Sequence, residues 1–303
     1  MTRAITRYRL VSEVSLLFFS VVMAYLLSSL VAVWAVSWGF GLEMNDQTTD
    51  ALLNHPQGRL GLFGVQALIH ATSFWGVAYL FWRREKQRTD SVLPLSSWDG
   101  SPLHFLGIAL AGMLLFPLIQ TLAVWNQSWD IPGELGVWAR QAEENAQRLI
   151  AFLTQFDSFG VFLLGIFVMA VLPAVGEELL FRGLLQNQLK GLFGNRHVAV
   201  WLGALIFSAV HFQFYGFVGR ALLGLWFGYL YERSGSLRWP IWAHFFHNGF
   251  TLLLLYLHQQ GFITTDINQD NYPSIYSVIG ATLLAGMAIF ALLTPHTRHA
   301  PRH

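Results

Sequence analysis

The stretch FGVFLLGIFVMAVLPAVGEELLFRGLL, residues 159–185, decides the fold of this chain. From Phe159 to Gly176 it contains no charged residue, and a run of about 20 mostly apolar residues in helical form can cross the hydrocarbon layer of a bilayer. Because lipid offers the backbone no hydrogen-bond partners, this run is expected to be an α-helix. Two adjacent glutamates and an arginine stand at its end, and ionisable groups in a spanning helix are costly and usually mark function.

The rest of the sequence repeats the apolar pattern. Of its 303 residues, 54% are apolar and only 12% are charged, whereas a soluble chain would be about 25% charged. We therefore predict an all-α, polytopic membrane helix bundle with about eight transmembrane helices. The predicted spans lie roughly at residues 12–36, 60–82, 104–125, 158–180, 197–215, 217–232, 239–258 and 273–294.

The distribution of Lys and Arg predicts the orientation of the bundle. With the N-terminus inside, the cytoplasmic segments contain the cluster RREKQR at residues 83–88 and the basic residues Arg298 and Arg302, whereas the outer loops are rich in Asp and Glu. This arrangement follows the positive-inside rule. We therefore predict that both termini are cytoplasmic (N-in and C-in), and that Pro295–His303 is a solvated tail.

The composition also excludes several classes of protein. A net charge of +1 leaves no basic surface dense enough to bind nucleic acid. The chain has no cysteine, which removes disulfides, thiolate metal sites and a cysteine nucleophile.

The charged end of the 159–185 stretch has two faces. Glu178 and Arg182 are four residues apart, so on a helix they share a face and are expected to form an ion pair. Glu177 points about 100° away, which leaves its carboxylate free for general acid/base work. Taken alone, the motif is equally compatible with three interfacial charges where the helix leaves the membrane.

Two further motifs place histidines in later spans. Phe207 stands one turn before His211, so its ring can pack against the imidazole. His244 and Asn248 share a helix face, whereas His247 lies on a different face and is interpreted as a packing or supporting residue. Taken singly, a histidine in an apolar helix is more often a packing residue than a catalyst, and a His–Asn pair commonly makes an interhelical hydrogen bond.

The joint order of the three motifs is specific. Glu-Glu-x-x-x-Arg, then Phe-x-x-x-His, then His-x-x-x-Asn on three separate spans resembles the CAAX protease and bacteriocin-processing (CPBP) family of intramembrane glutamic endopeptidases. The matching residues are Glu177, Glu178, Arg182, Phe207, His211, His244 and Asn248. The stretch Gly224-x-x-x-Gly228, followed by Ser234–Leu237, also resembles the family.

The resemblance divides the chain into three parts. We predict about three N-terminal transmembrane helices and an outer loop at residues 1–157, a CPBP-like catalytic core at residues 158–258, and a final transmembrane helix with a cytoplasmic tail at residues 259–303. Within the outer loop, residues 134–156 are predicted to form either an amphipathic surface helix or a capping element.

The resemblance implies hydrolysis of a peptide bond in a membrane-associated protein or peptide. The site would lie in a bacterial plasma membrane and open to the cytoplasm. Glu177 would activate a water with help from His211. His244 and Asn248 would donate hydrogen bonds to the developing oxyanion, and Glu178, with its arginine partner, would orient the site.

Three alternatives stay open. Two histidines and a carboxylate could hold a zinc ion with an open position for water, although the zinc-protease pattern His-Glu-x-x-His is missing, and no other cofactor is expected. A transporter could use the buried Glu and His residues to relay protons, but it would need polar groups in both halves. A non-catalytic scaffold of the same fold is less attractive, because every motif position is retained.

The sequence places the two motif histidines, His211 and His244, at different depths in the membrane. His211 is expected about 20 Å from the cytoplasmic end of its span, whereas His244 is expected only about 8 Å from the end of its own. They can meet only if helices tilt, or if the fifth helix begins outside the hydrocarbon. Two other groups receive no catalytic role: Arg220 is expected to snorkel towards the headgroups, and His70 has no partner that the sequence identifies.

Overall fold

The fold is entirely helical. The computed structural model describes residues 2–45, 48–89, 101–264 and 274–293. Helix accounts for 86% of the structure, and the described ranges contain no strand, which confirms the all-α prediction. The predicted cytoplasmic tail, Pro295–His303, lies outside the described residues.

The described α-helices are numbered in chain order. They are α1 (Thr2–Gly39), α2 (Thr48–Asn54), α3 (Gly58–Ile69), α4 (Val77–Thr89), α5 (Pro102–Gln127), α6 (Gly133–Leu153), α7 (Phe159–Ile166), α8 (Leu172–Glu178), α9 (Asn187–Phe193), α10 (Arg196–Ala209), α11 (Phe217–Ser234), α12 (Arg238–Gln259) and α13 (Ile275–Leu293).

Some of these helices are joined without a break by π-helical segments, in which the backbone hydrogen bonds span five residues. His70–Gly76 joins α3 to α4, Phe167–Val171 joins α7 to α8, and Leu179–Gln186 joins α8 to α9. The continuous helix Phe159–Phe193 is called the glutamate helix below, because it carries both glutamates of the first motif.

Four helices of the described chain are long and apolar enough to cross a membrane. They are Tyr8–Gly39, Gly58–Arg84, Pro102–Gln127 and Phe159–Phe193. The chain is therefore a multi-pass membrane protein. The count of eight spans and the N-in, C-in orientation remain predictions.

The glutamate helix is longer than the sequence pattern indicated. A span ending near residue 180 would place the charged motif at the membrane interface, but the helix continues to Phe193. It continues because residues beyond Arg182, such as Leu184 and Leu189, still face the hydrophobic core. Glu178 is 0% exposed and Arg182 is 2% exposed, so the interpretation of these charges as interfacial groups is wrong.

Helix α6 covers most of residues 134–156, for which the sequence predicted either an amphipathic surface helix or a capping element. One side of it is buried through Ala139 and Leu153, while Val137 on another side is 72% exposed. Trp138 packs edge-on against Phe214, with 5.5 Å between the ring centroids. Through this contact α6 covers part of the turn that follows α10.

Two glycines of α11 let three helices come close together. A Cβ on Gly224 would lie 2.9 Å from the Cα of Ala204 in α10, and a Cβ on Gly228 would lie 2.9 Å from a methyl group of Val200. The carbonyls of both glycines accept hydrogen bonds from side chains of the glutamate helix, Gly224 from Arg182 at 2.9 Å and Gly228 from Gln186 at 3.2 Å. The small residues therefore bring the helix backbones together and leave their carbonyls accessible.

We predict that Gly224→Ala destabilises the protein by about 1–3 kcal/mol, because backbone atoms of Ala204 must move to admit the new methyl group. Gly203→Ala is the matched control: a Cβ there meets nothing within 4 Å, so the better helix propensity of alanine should leave stability equal or higher. The measurement is thermal unfolding of both variants in the same detergent. Equal melting temperatures for the two variants would refute the close packing of α10 and α11.

Candidate active site

A fully buried carboxylate stands at the centre of the site. One oxygen of Glu178, Oε1, accepts a hydrogen bond from Nη1 of Arg182 at 2.8 Å and another from Nδ1 of His244 at 2.9 Å. Glu178 and Arg182 lie on the glutamate helix, and His244 lies on α12. One oxygen atom therefore connects the first and third sequence motifs, and the ion pair predicted from the i, i+4 spacing is confirmed.

Arg182 extends this connection to two further helices. Its Nη2 donates to the carbonyl of Gly224 on α11 at 2.9 Å. Its guanidinium carbon lies 4.9 Å from the ring centroid of Phe207 on α10 and 5.4 Å from that of Phe227 on α11. Aromatic faces stabilise a cation that has lost its water shell, so Arg182 is charged, paired and enclosed.

The ring of His244 is fixed from three sides. It stacks on Phe227, with 4.9 Å between centroids and 17° between planes, and meets Phe207 edge-on at 5.9 Å. Because Glu178 accepts from Nδ1, that nitrogen carries the proton. The remaining nitrogen, Nε2, accepts a proton when the ring is neutral and donates one when it is charged.

Glu177 makes none of the hydrogen bonds that Glu178 makes through Oε1, although the Oε2 atom of Glu178 is also unpartnered among the described residues. Glu177 is only 5% exposed, yet its buried Oε2 has no hydrogen-bond partner among the residues that the structure describes. It lies within electrostatic range of His244, Glu178 and Arg182. A rotation of about 100° per residue turns it off the face that bears the ion pair. Its carboxylate is thus close to the cluster and is not used in holding the cluster together.

His211 packs against Phe207, whose ring also contacts His244. Helix α10 ends at Ala209, so His211 lies in the turn beyond it, where its Nδ1 bonds to the Phe207 carbonyl at 2.8 Å. The ring of Phe207 lies 5.2 Å from that of His211 and 5.9 Å from that of His244. The predicted packing of Phe207 on His211 is confirmed. Both imidazoles contact the same phenylalanine ring despite their different expected depths, because the His211 ring folds back towards its own helix.

Asn248 has a contact that the motif did not suggest. Its Nδ2 donates to the carbonyl of Met169 at 3.1 Å. Met169 lies in the π-helical segment Phe167–Val171, and Pro173, two residues after that segment, has no N–H to donate to a preceding carbonyl. Asn248 therefore adds a side-chain donor to a part of the helix that is one backbone donor short, and it uses one of its two amide hydrogens in doing so.

His247 lies outside this cluster. Its ring centroid is 6.2 Å from that of Phe116 on α5. This contact agrees with the prediction that His247 is a packing residue.

Arg220 has a different role from the one its position in the sequence suggested. Instead of reaching for headgroups, it donates to the Oε1 atom of Gln213 at 3.0 Å and also to the Gln213 carbonyl. Phe212, between Gln213 and His211, has φ of 54°, a left-handed conformation that is unfavourable for a bulky residue. Arg220 thus stabilises the turn that carries His211. Gln213 lies in the turn between α10 and α11 and outside any helix, so helical spacing could not have identified this contact.

The described side chains do not form a group that could bind a metal ion. Within residues 2–45, 48–89, 101–264 and 274–293, no three His, Asp or Glu side chains are close enough to share a metal ion. The Nδ1 atom of His244 is also occupied by Glu178. No step of the chemistry is therefore assigned to zinc.

The fold and the cluster together define the class of protein: a multi-pass membrane protein that encloses a carboxylate–imidazole site between its helices. Residues 159–250 match the family model described as type II CAAX prenyl endopeptidase Rce1-like. This match confirms the resemblance to the CPBP family, and the matched range contains every motif residue.

One curated relative resembles a stretch of this chain. Uncharacterized protein YpbD of Bacillus subtilis (strain 168) is 34% identical over 84 residues, which cover 26% of this chain and 40% of the relative. The chain thus spans less than half the length of that relative. No solved structure matches the chain significantly.

We predict that Glu178→Ala destabilises the protein by about 3–5 kcal/mol, because it leaves the buried guanidinium of Arg182 without its carboxylate. Glu177→Ala removes the same chemical group one residue earlier and should cost much less, because Oε2 of Glu177 accepts no hydrogen bond from a described residue. Chemical unfolding of the two purified variants measures the difference. Equal losses would show that Glu178 does not hold the cluster together.

We predict that Asn248→Ala lowers stability by about 1 kcal/mol, since the Met169 carbonyl loses a donor. Adding Pro173→Ala restores a backbone N–H four residues after Met169 and should recover part of that loss. A double-mutant cycle on unfolding free energies tests the coupling. Strictly additive effects would mean that Asn248 and Pro173 act independently.

Proposed function

We propose that the protein is an intramembrane endopeptidase that hydrolyses a peptide bond in a membrane-associated protein or peptide. The observation that carries the proposal is the contrast between two adjacent glutamates. Glu178 accepts hydrogen bonds from Arg182 and His244 through Oε1, whereas Glu177 is buried beside the same cluster and accepts none from a described residue; the Oε2 atoms of both glutamates are unpartnered among the described residues. The family match at residues 159–250 supports a protease over a transporter or a scaffold.

Glu177 is the group that activates water in this proposal. Its carboxylate takes a proton from the water, and the water oxygen bonds to the carbonyl carbon of the substrate while the carbonyl electron pair moves onto oxygen. The proton then passes to the departing amine nitrogen as the C–N bond breaks. His211 assists in this proposal, since its Nδ1 is bonded to the Phe207 carbonyl and its Nε2 is left to bond the same water.

The charge balance of the cluster supports this proton transfer. Two buried carboxylates, Glu177 and Glu178, share a single guanidinium, that of Arg182. When both carboxylates are ionised, these three groups carry one uncompensated negative charge. Because burying an unpaired charge is costly, we expect the three groups together to hold one further proton. A catalyst that alternately accepts and releases one proton needs a cluster of side chains that can hold that proton.

His244 and Asn248 stabilise the oxyanion in this mechanism. Glu178 fixes the His244 ring through Nδ1, so Nε2 of a protonated ring points a donor at the developing charge. Asn248 uses one amide hydrogen on Met169 and keeps a second for the substrate. Donors that are already oriented and shielded from bulk water stabilise a transition state strongly, because little reorganisation is needed.

The proposed location of the protein is based on its apolar, membrane-spanning helices. The spanning segments support a multi-pass membrane protein, and we propose that it lies in a bacterial plasma membrane with a site open to the cytoplasm. The substrate is accordingly a membrane-associated protein or peptide. The chain's net charge of +1 gives no support to a nucleic-acid partner.

We predict that Glu177→Gln abolishes proteolysis and leaves the protein folded in the membrane, because the amide cannot accept the proton of water. The experiment compares membrane proteomes of cells that express only the wild type, Glu177→Gln or Glu144→Gln. Glu144 is exposed on α6, so its variant makes the same atomic change away from the site. A precursor should accumulate with Glu177→Gln alone.

Two results would overturn this proposal. One is a proteome that does not differ between Glu177→Gln and the wild type at equal protein levels. The other is turnover of the accumulated precursor by purified Glu177→Gln at the wild-type rate.

A further inference from the structure

A buried histidine from the N-terminal half lies outside the matched family domain. His70 begins the π-helical segment His70–Gly76 in the second long helix, whereas the family match starts at residue 159. It is only 8% exposed, and its ring stacks on Phe74 with 5.2 Å between centroids. Its position is typical of functional residues, because π-helical segments inside α-helices are frequent at functional sites.

The segment that carries His70 packs directly on the glutamate helix. A Cβ on Gly176 would lie 3.0 Å from the Cβ of Phe74 and would also collide with Trp75. The indole nitrogen of Trp75 donates to the carbonyl of Leu172 at 3.0 Å. Gly176 immediately precedes Glu177, so a continuous set of contacts runs from His70 through Phe74 to the residue beside the proposed base.

His70 also lies within electrostatic range of the other two imidazoles of the site, those of His244 on α12 and His211 in the turn after α10. Its Nδ1 is buried and has no hydrogen-bond partner in the described part of the chain. Buried polar atoms in folded proteins are almost always bonded, so an unpaired one beside a polar site calls for a ligand.

We propose that His70 is a substrate-contacting residue of this same site, and that its imidazole hydrogen-bonds the backbone of the bound peptide. The inference rests on the proposed function. A peptide that enters a buried site must exchange the water on its N–H and C=O groups for protein partners. A neutral imidazole offers one donor and one acceptor, which suits an amide. In this arrangement the N-terminal half completes a site whose reacting groups come from the family domain.

Two substitutions separate this role from simple packing. His70→Phe keeps an aromatic ring to stack on Phe74 but cannot form hydrogen bonds. His70→Gln keeps a donor and an acceptor but loses the ring. A packing residue would tolerate the first change better, whereas a substrate-binding residue would tolerate the second.

The chain contains a matched control for the pair. His55 also stacks on a phenylalanine, Phe40, with 4.2 Å between ring centroids. It precedes α3, whose 12 residues separate it from His70, a distance of about 18 Å along the helix. His55→Phe and His55→Gln therefore repeat both chemical changes away from the site.

The test uses the purified full-length chain in lipid nanodiscs and the precursor that accumulates with Glu177→Gln. We expect His70→Phe to raise KM about tenfold with little change in kcat, because a lost substrate contact weakens binding of the ground state and transition state alike. His70→Gln should stay within about twofold of the wild type, as should both His55 variants.

Distinct outcomes separate this inference from the function on which it rests. If His70→Phe cleaves the precursor like the wild type while Glu177→Gln is inactive, only the role of His70 is overturned. That role is likewise overturned if His70→Gln is the more impaired of the two variants, since this result identifies a packing residue. If Glu177→Gln retains turnover, or if no precursor accumulates with it, the endopeptidase proposal fails and this inference fails with it.

Discussion

The site depends on the cost of burying the carboxylate of Glu178 away from water. A charge in such a place is tolerated only when it is paired and hydrogen-bonded, and here one oxygen accepts from both Arg182 and His244. Arg182 in turn donates to Gly224, so that a single network joins the glutamate helix to α11 and α12. The close approach of α10 and α11 at Gly224 and the aromatic rings around the guanidinium follow from the same requirement.

This network gives two neighbouring glutamates different tasks. Glu178 faces the network and bonds it through Oε1, while the 100° turn of the helix directs Glu177 elsewhere. Glu178 therefore holds the imidazole of His244 at a fixed angle, and in the proposed mechanism the carboxylate of Glu177 is the one left for chemistry. Arg220 and the segment that follows His70 also support this site, one through the turn after α10 and the other through Gly176.

The sequence predicted the parts of this arrangement that depend on helical periodicity. The ion pair of Glu178 with Arg182, the packing of Phe207 on His211 and the helix of the outer loop all follow from i, i+4 spacing or from an amphipathic pattern. The π-helical segments could not be predicted, because they change the periodicity on which such arguments rest. The Asn248–Met169 bond and the packing of Trp75 on Gly176 join residues far apart in the chain, and only tertiary structure brings them together.

An experimental structure of the protein in a lipid nanodisc, at a resolution that separates side chains, would test the proposed division of labour between the two glutamates. We expect one carboxylate oxygen of Glu178 to lie within hydrogen-bond distance of both the Arg182 guanidinium and Nδ1 of His244. We also expect the carboxylate of Glu177 to lie beside that imidazole, with no protein group bonded to it. A Glu177 side chain that faces lipid, or that is separated from both His211 and His244 by packed side chains, would contradict the proposed site.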